Sequence, residues 1–186
     1  MKVGVLAIQG DFAAHTAAVA RLGARAVAVR GPSDLEGLDA LVLPGGESTA
    51  MLHGIERDGL EAPLTAFLAA GRPVLGTCAG AILLASRVTN PAQRAFGALD
   101  IDVARNAYGT QVDSFAAETD PDSVLPGVPA LFIRAPRIVR VGDDVEVLAR
   151  VAGAPVLVRT GRTWVATFHP ELGADGRVLG EWLAAA

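Results

Sequence analysis

The sequence predicts an α/β fold: a three-layer sandwich with a mixed, largely parallel central sheet and helices on both faces. Three observations point there. Apolar runs of strand length alternate with segments of helical period from Lys2 to Ala85. Glycine turns follow three of those runs, at Gln9-Gly10, Gly45-Gly46 and Gly76. Alternation of this kind implies parallel strands covered on both sides. Beyond Asn90 the alternation stops, and three late runs with short connections suggest an antiparallel meander. The chain has 186 residues, 51% of them hydrophobic, which supplies an ample core. One domain over residues 1–186 is expected, because domains commonly run to roughly 100–200 residues.

Lys2–Ile8 is the first strand-length run. Asp11–Leu22 follows with Phe12, His15, Val19 and Leu22 at helical spacing, Asp11 as a candidate N-cap and Gly23 as a stop. Arg25–Val29 alternates and reads as a strand, Gly31–Asp34 as a turn, and Ala40–Leu43 as a third strand. Helical stretches are expected near Thr49–Arg57 and Leu60–Ala70. The Val74–Gly76 strand then runs into a helix former, Ala79–Ala85. In the second half, Ala130–Ile133, Val145–Val151, Val156–Arg159 and Trp164–Phe168 read as strands, and Arg177–Ala185 as the final helix. Ligands of such sheets bind at the carboxyl ends of the strands, where Gln9-Gly10, Gly45-Gly46 and Cys78 all fall.

Composition excludes several classes. The net charge is −4 with no basic run, so nucleic acid is not an expected partner. No apolar run approaches the ~18 residues that a membrane span needs, and the Met1-Lys2 start does not resemble a signal peptide. A single cysteine precludes an internal disulfide and suits a reducing, cytoplasmic setting. One cysteine and three scattered histidines offer no metal-ligand spacing, and no cofactor is expected. Lys2 is the only lysine, which argues against Schiff-base chemistry on this chain.

The chain is organised around Gly76-Thr77-Cys78-Ala79-Gly80, a strand–turn–helix junction with the spacing of a nucleophile elbow. Glycine on both sides lets strand and helix approach closely, and the helix N-terminus favours a thiolate. A buried structural cysteine is the alternative reading of a lone Cys. A nucleophilic thiol needs a base and a group that orients the base. His15 and His53 lie on expected helices and are read as solvated surface. His169 follows a strand, in Phe168-His169-Pro170-Glu171. Proline holds the preceding residue extended, which places residues i and i+2 on one side and pairs His169 with Glu171. Gly45-Gly46-Glu47-Ser48 is the third piece. Two glycines after an apolar strand allow an N–H of this turn to complete an oxyanion hole with the Ala79 N–H. A plain turn capped by Ser48 or Thr49 is the alternative there. Gly45-Gly46 can also flip between offering an N–H and a C=O, and Gln9-Gly10 is placed to sense a docking partner that selects one state.

Leu43–Thr49, Gly76–Gly80 and Phe168–Leu172 together resemble the class I, triad-type glutamine amidotransferases. More narrowly, Val5–Gly10, Arg105-Asn106-Ala107-Tyr108-Gly109, Asp113-Ser114-Phe115 and Phe132–Pro136 resemble the glutaminase subunits of the ribose-5-phosphate-dependent pyridoxal 5'-phosphate synthases. The pieces span nearly the whole chain in the family order. Two positions depart from that pattern: Thr110 stands where an arginine is usual, and Ala116 where an acidic residue is usual. The resemblance implies a flavodoxin-like amidotransferase fold and hydrolysis of L-glutamine to L-glutamate and ammonia. It makes Cys78 the nucleophile, His169 the general base and acid, and Glu171 the residue that orients His169. Gly46, Glu47 and Ser48 would lie along bound L-glutamine, and Arg105, Ile133 and Arg134 would hold its remainder. Gln9 would sit near the oxyanion loop and the partner. That partner would be the pyridoxal 5'-phosphate synthase (lyase) subunit, in a hetero-oligomer, receiving the ammonia. Service to another synthase, such as the imidazole-forming one of histidine biosynthesis, and a catalytically silent regulatory subunit are the alternatives.

Overall fold

The computed structural model describes residues 1–105 and 114–186. Its centre is a seven-stranded sheet, in the order β10-β11-β12-β4-β3-β1-β2. The five strands β2 (Arg25–Val29), β1 (Lys2–Leu6), β3 (Ala40–Leu43), β4 (Val74–Thr77) and β12 (Thr163–Ala166) run parallel. β10 (Glu146–Val151) and β11 (Ala154–Thr160) complete it as an antiparallel meander with β12. The mixed, largely parallel sheet expected from the sequence is therefore present, and the meander shares its edge.

β3 and β4 are buried at every residue, as parallel strands covered on both faces must be. Side chains of alternating strand residues form two cores, one on each face. Leu41, Leu43, Val74, Val165 and Leu6 pack with α2 (Ser48–Arg57), α3 (Glu61–Ala69) and α4 (Ala79–Leu84). Val3, Val5, Val42, Leu75 and Trp164 pack with α1 (Phe12–Arg21) and α5 (Arg177–Ala184), whose Trp182 is 1% exposed. Asp11 caps α1 as expected, its side chain accepting from the Ala14 N–H at 3.3 Å.

Residues 85–141 hold elements that the sequence reading did not anticipate. β5 (Ala85–Thr89), β6 (Leu99–Ala104) and β9 (Arg137–Val141) form a three-stranded sheet. β7 (Ser114–Glu118) pairs with β8 (Pro129–Ile133), the one strand of this region that was expected. Stacked Phe115 and Phe132, with ring centroids 4.6 Å apart, fix that hairpin, and Phe132 packs on Phe168 at 5.8 Å. The segment Asn106–Asp113, which carries part of the Arg105–Gly109 motif and Thr110, lies outside the described residues.

Candidate active site

Cys78 sits between β4 and α4 with φ 48° and ψ −102°, a backbone state that a non-glycine residue adopts at a cost of about 1–3 kcal/mol. Its neighbours explain why the strain is tolerated. The Cys78 N–H donates to the Ala166 carbonyl of β12 at 2.9 Å, and Ala81 N–H donates back to the Cys78 carbonyl at 3.1 Å. A side chain on Gly80 would strike the Leu43 carbonyl of β3, so only glycine lets α4 lie this close to the sheet. A side chain on Gly76 would lie 2.7 Å from the Gly80 carbonyl. Both flanking glycines thus act as expected, and the junction aims the sulfur into a cleft of about 320 Å³.

β12 lies beside β4, with Ala166 opposite Thr77, so the segment after β12 emerges next to Cys78. The His169 N–H donates to the Leu131 carbonyl of β8 at 2.9 Å, which anchors the loop. The His169 imidazole shares the cleft with the Cys78 thiol and, through Nδ1, donates to Glu171 Oε1 at 2.7 Å, while the thiol itself donates to the Ile133 carbonyl at 3.9 Å. His169 and Glu171 are 7% and 3% exposed. The pairing is as expected, but the backbone route differs. Pro170–Leu172 is a short 3-10 turn and not an extended segment; His169 is its N-cap, at φ −107° and ψ 82°, and Glu171 within the turn meets the imidazole. Burial disfavours charge on His169, yet the interactions with Cys78 and Glu171 outweigh it and push the imidazole up to about 10. Burial likewise opposes the Glu171 carboxylate, but hydrogen bonds from His15 and His169 prevail and hold it down at about 2.

His15 corrects the sequence reading, which placed it on solvated surface. It is fully buried, with Nε2 2.9 Å from Thr77 Oγ1 and 3.3 Å from Glu171 Oε2. Its position on the apolar stripe of α1, between Phe12 and Val19, was the available signal: a polar residue on a buried stripe needs a buried partner. His53 is exposed, as read.

The loops after β1 and β3 form the opposite wall. The Asp11 N–H donates to the Gly45 carbonyl at 3.2 Å, and Gln9 Oε1 accepts from the Glu47 N–H at 2.7 Å. Gly46, at φ 156°, has no room for a side chain beside Gln9. The cap of α2 is neither Ser48 nor Thr49. Glu47 takes that role, its carboxylate accepting from the Thr49 and Ala50 N–H groups at 3.1 and 2.7 Å. Despite some desolvation, these bonds and nearby Arg105 hold the Glu47 carboxyl below its ordinary range. Arg105 Nη2 reaches Glu47 Oε1 at 3.0 Å and Thr49 Oγ1 at 3.2 Å. The Ser48 hydroxyl donates to Gln93 Oε1 at 2.9 Å, a brace that the sequence reading also missed.

The cleft is lined by Gln9, Gly46, Glu47, Ser48, Cys78, Arg105, Ile133, Arg134 and His169. Glu171 stands behind His169, and Ala79 opens α4 immediately after the thiol. Six separate segments, at the ends of β1, β3, β4, β6, β8 and β12, therefore bring the anticipated residues to one place. Among the described residues no cluster of His, Cys, Asp or Glu could hold a metal, and no helix is long and apolar enough to cross a membrane.

Comparison with known proteins agrees with this arrangement. The chain is 53% identical over 183 residues to the pyridoxal 5'-phosphate synthase subunit PdxT of Solibacter usitatus, covering 95% of each chain. It is 53% identical over 180 residues to the PdxT of Koribacter versatilis, covering 96% of this chain and 92% of the relative. A solved structure described as a glutamine amidotransferase superposes with a TM-score of 0.91 at 44% identity, over 98% of this chain and 97% of the other. The model of the SNO glutamine amidotransferase family matches residues 5–185, and the chain belongs to that family.

Proposed function

We propose that this chain hydrolyses L-glutamine to L-glutamate and ammonia through a thioester on Cys78, as the glutaminase subunit of a pyridoxal 5'-phosphate synthase. The observation that carries the reading is the thiol in one cleft with a buried imidazole–carboxylate pair.

The Cys78 thiolate attacks the side-chain amide carbon, forming the S–C bond. The oxyanion rests on the N–H groups of Gly46 and Ala79. His169, which holds a proton readily, gives it to the departing nitrogen as the C–N bond breaks, and ammonia leaves. Neutral His169 then takes a proton from water, whose oxygen attacks the thioester; the S–C bond breaks and glutamate is released. Glu171 keeps the imidazole oriented and balances its charge. Gly46, Glu47 and Ser48 lie along the substrate, and Arg105, Ile133 and Arg134 hold its amino-acid end. Arg105 supplies the cation for the α-carboxylate, and the Glu47 carboxylate beside it supplies an acceptor for the α-ammonium.

The ammonia passes to the synthase (lyase) subunit of a hetero-oligomer. Identity near 50% to subunits of that synthase favours it over the imidazole-forming alternative, and an assembled triad disfavours a silent regulatory subunit. Gln9, bonded to the oxyanion loop, is positioned to transmit docking. A cytoplasmic setting suits the single unpaired cysteine. The test is ammonia and glutamate release from glutamine, measured with and without the synthase. The reading requires turnover that rises with partner; no hydrolysis under either condition overturns it.

A further inference from the structure

We infer that His15 is a positioning residue, the fourth member of a buried relay that runs from His15 through Glu171 and His169 to Cys78. The inference rests on the hydrolytic reading above. It starts from an observation that this reading leaves unused: a fully buried imidazole directly behind the orienting carboxylate.

Glu171 has two carboxylate oxygens. Oε1 accepts from His169, while Oε2 is buried without a hydrogen-bond partner among the described residues and faces His15 Nε2 at 3.3 Å. A carboxylate oxygen removed from water needs a donor. His15 can be that donor in one tautomer only. If Nδ1 carried the proton, the bare Nε2 lone pair would face a carboxylate oxygen at 3.3 Å with no water between to screen the repulsion. With the proton on Nε2, the N–H is shared between Glu171 Oε2 and Thr77 Oγ1, and Thr77 is the residue next to the nucleophile. Nδ1 is then a bare acceptor, consistent with its lack of any partner.

Among the described residues no other side chain on the elements packed against Glu171 competes for this role. Glu171 lies in the turn that packs against α1, β8 and α5. On α1 the other titratable side chain, Arg21, is exposed; β8 carries no titratable side chain; on α5, Arg177 and Glu181 are exposed and Arg177 pairs with Asp175. The charged and titratable neighbours of Glu171 are therefore His15 and His169. His15 has two effects through Glu171. It fixes the carboxylate plane so that Oε1 meets His169, and it stabilises the ionised carboxylate where water cannot. It touches neither the cleft nor the substrate: its side chain is absent from the cleft lining.

The design of the test follows from side-chain reach. The amide nitrogen of glutamine falls near the Nε2 position of histidine, and that of asparagine near Nδ1. His15→Gln keeps a donor for Glu171; His15→Asn does not. Glutamine hydrolysis is measured for the full chain with its synthase, as kcat, KM and the pH profile. We expect His15→Asn to lose roughly tenfold or more in kcat, the scale of supporting partners that orient a reacting group, with KM changed less than twofold. Its acid limb moves to higher pH, because a carboxylate without its donor takes up a proton sooner. His15→Gln recovers most of the rate and the wild-type limb. A second measurement needs no turnover: the rate of Cys78 alkylation by iodoacetamide against pH in the isolated chain, which has no other thiol. The acid-side midpoint moves up in His15→Asn and stays in His15→Gln. Equal behaviour of the two variants in both assays, whether both intact or both impaired, overturns the inference and leaves His15 a packing residue. Failure of the wild type to hydrolyse glutamine overturns the hydrolytic reading instead, and the alkylation comparison still decides the role of His15.

Discussion

The parallel core and the region of residues 85–141 divide the labour of the site. The core carries the proposed reacting groups. Cys78 follows β4, His169 and Glu171 follow β12, His15 comes from α1, and the candidate oxyanion loop follows β3. Cys78, His169, Glu171 and His15 are buried, and the N–H groups of Cys78 and His169 are each held by a carbonyl of a neighbouring strand. The second region supplies the walls: Arg105 at the end of β6, and Ile133 with Arg134 at the end of β8. Its strands are half open, as in the alternating exposure of β7. The difference teaches that the proposed chemistry is mounted mostly on buried positions of the parallel core, whereas much of the proposed recognition is mounted on more open strands. Changes in the core are expected to act on kcat, and changes in the walls on KM.

The largest effect is expected for Cys78→Ala, which abolishes ammonia release while circular dichroism stays unchanged, since the thiol faces the cleft. Loss of folding would make the cysteine structural. Next comes Glu171→Gln. Removing the orienting carboxylate of a hydrolytic triad costs up to ~10⁴-fold in turnover, and less is expected here because a thiol depends less on its base than a hydroxyl does. KM should hold; a KM effect without a kcat effect breaks the division.

Arg105→Ala tests the other side. A charge-assisted hydrogen bond is worth about 1.5–3 kcal/mol, so KM for glutamine should rise roughly tenfold to a hundredfold with kcat within a few-fold. A kcat loss that outweighs the KM change would show that the wall takes part in chemistry. Gln9→Ala removes one neutral bond to the Glu47 N–H, worth about 1 kcal/mol. A drop of about fivefold in synthase-stimulated turnover is expected, and an unchanged rate removes Gln9 from any role in activation.

A separate effect, on stability and not on turnover, is expected against pH. His169 is raised from 6.5 to about 10, so its contribution is full below pH 6.5 and is lost as pH rises through 10. Glu171 is lowered from 4.5 to about 2, so its contribution is present above pH 4.5 and is lost as pH falls through 2. Urea midpoints should therefore decline between pH 6.5 and 10, and decline less in His169→Asn. Equal slopes would mean that the pair is not coupled to folding.

The same division governs what the sequence could reveal. The parallel strands were legible because burial on both faces leaves continuous apolar runs such as Ala40–Leu43, punctuated by glycine. β5, β6, β7 and β9 were not. Arg87, Asp100, Asp102 and Arg140 sit inside these strands, and their charges find partners in one another across the sheet, a pairing that no local pattern announces. In the site, Cys78 and His169 were legible from glycine and proline geometry. The Glu47 cap was hidden by two better capping residues next to it. His15 was harder to read because its partners lie far along the chain, and its place on the apolar stripe of α1 is the one local sign of burial.

The adjacency of β4 and β12 has a consequence for synthesis. Eighty-eight residues separate Ala166 from Cys78, yet the carbonyl of one holds the N–H of the other. As the chain leaves the ribosome, β4 is made long before its second neighbour, and until then it stands as an open edge of apolar residues. The thiol is present early, but the imidazole proposed to activate it arrives only with the strand that closes this edge. On that proposal, maturation of the centre and sealing of the sheet are one event.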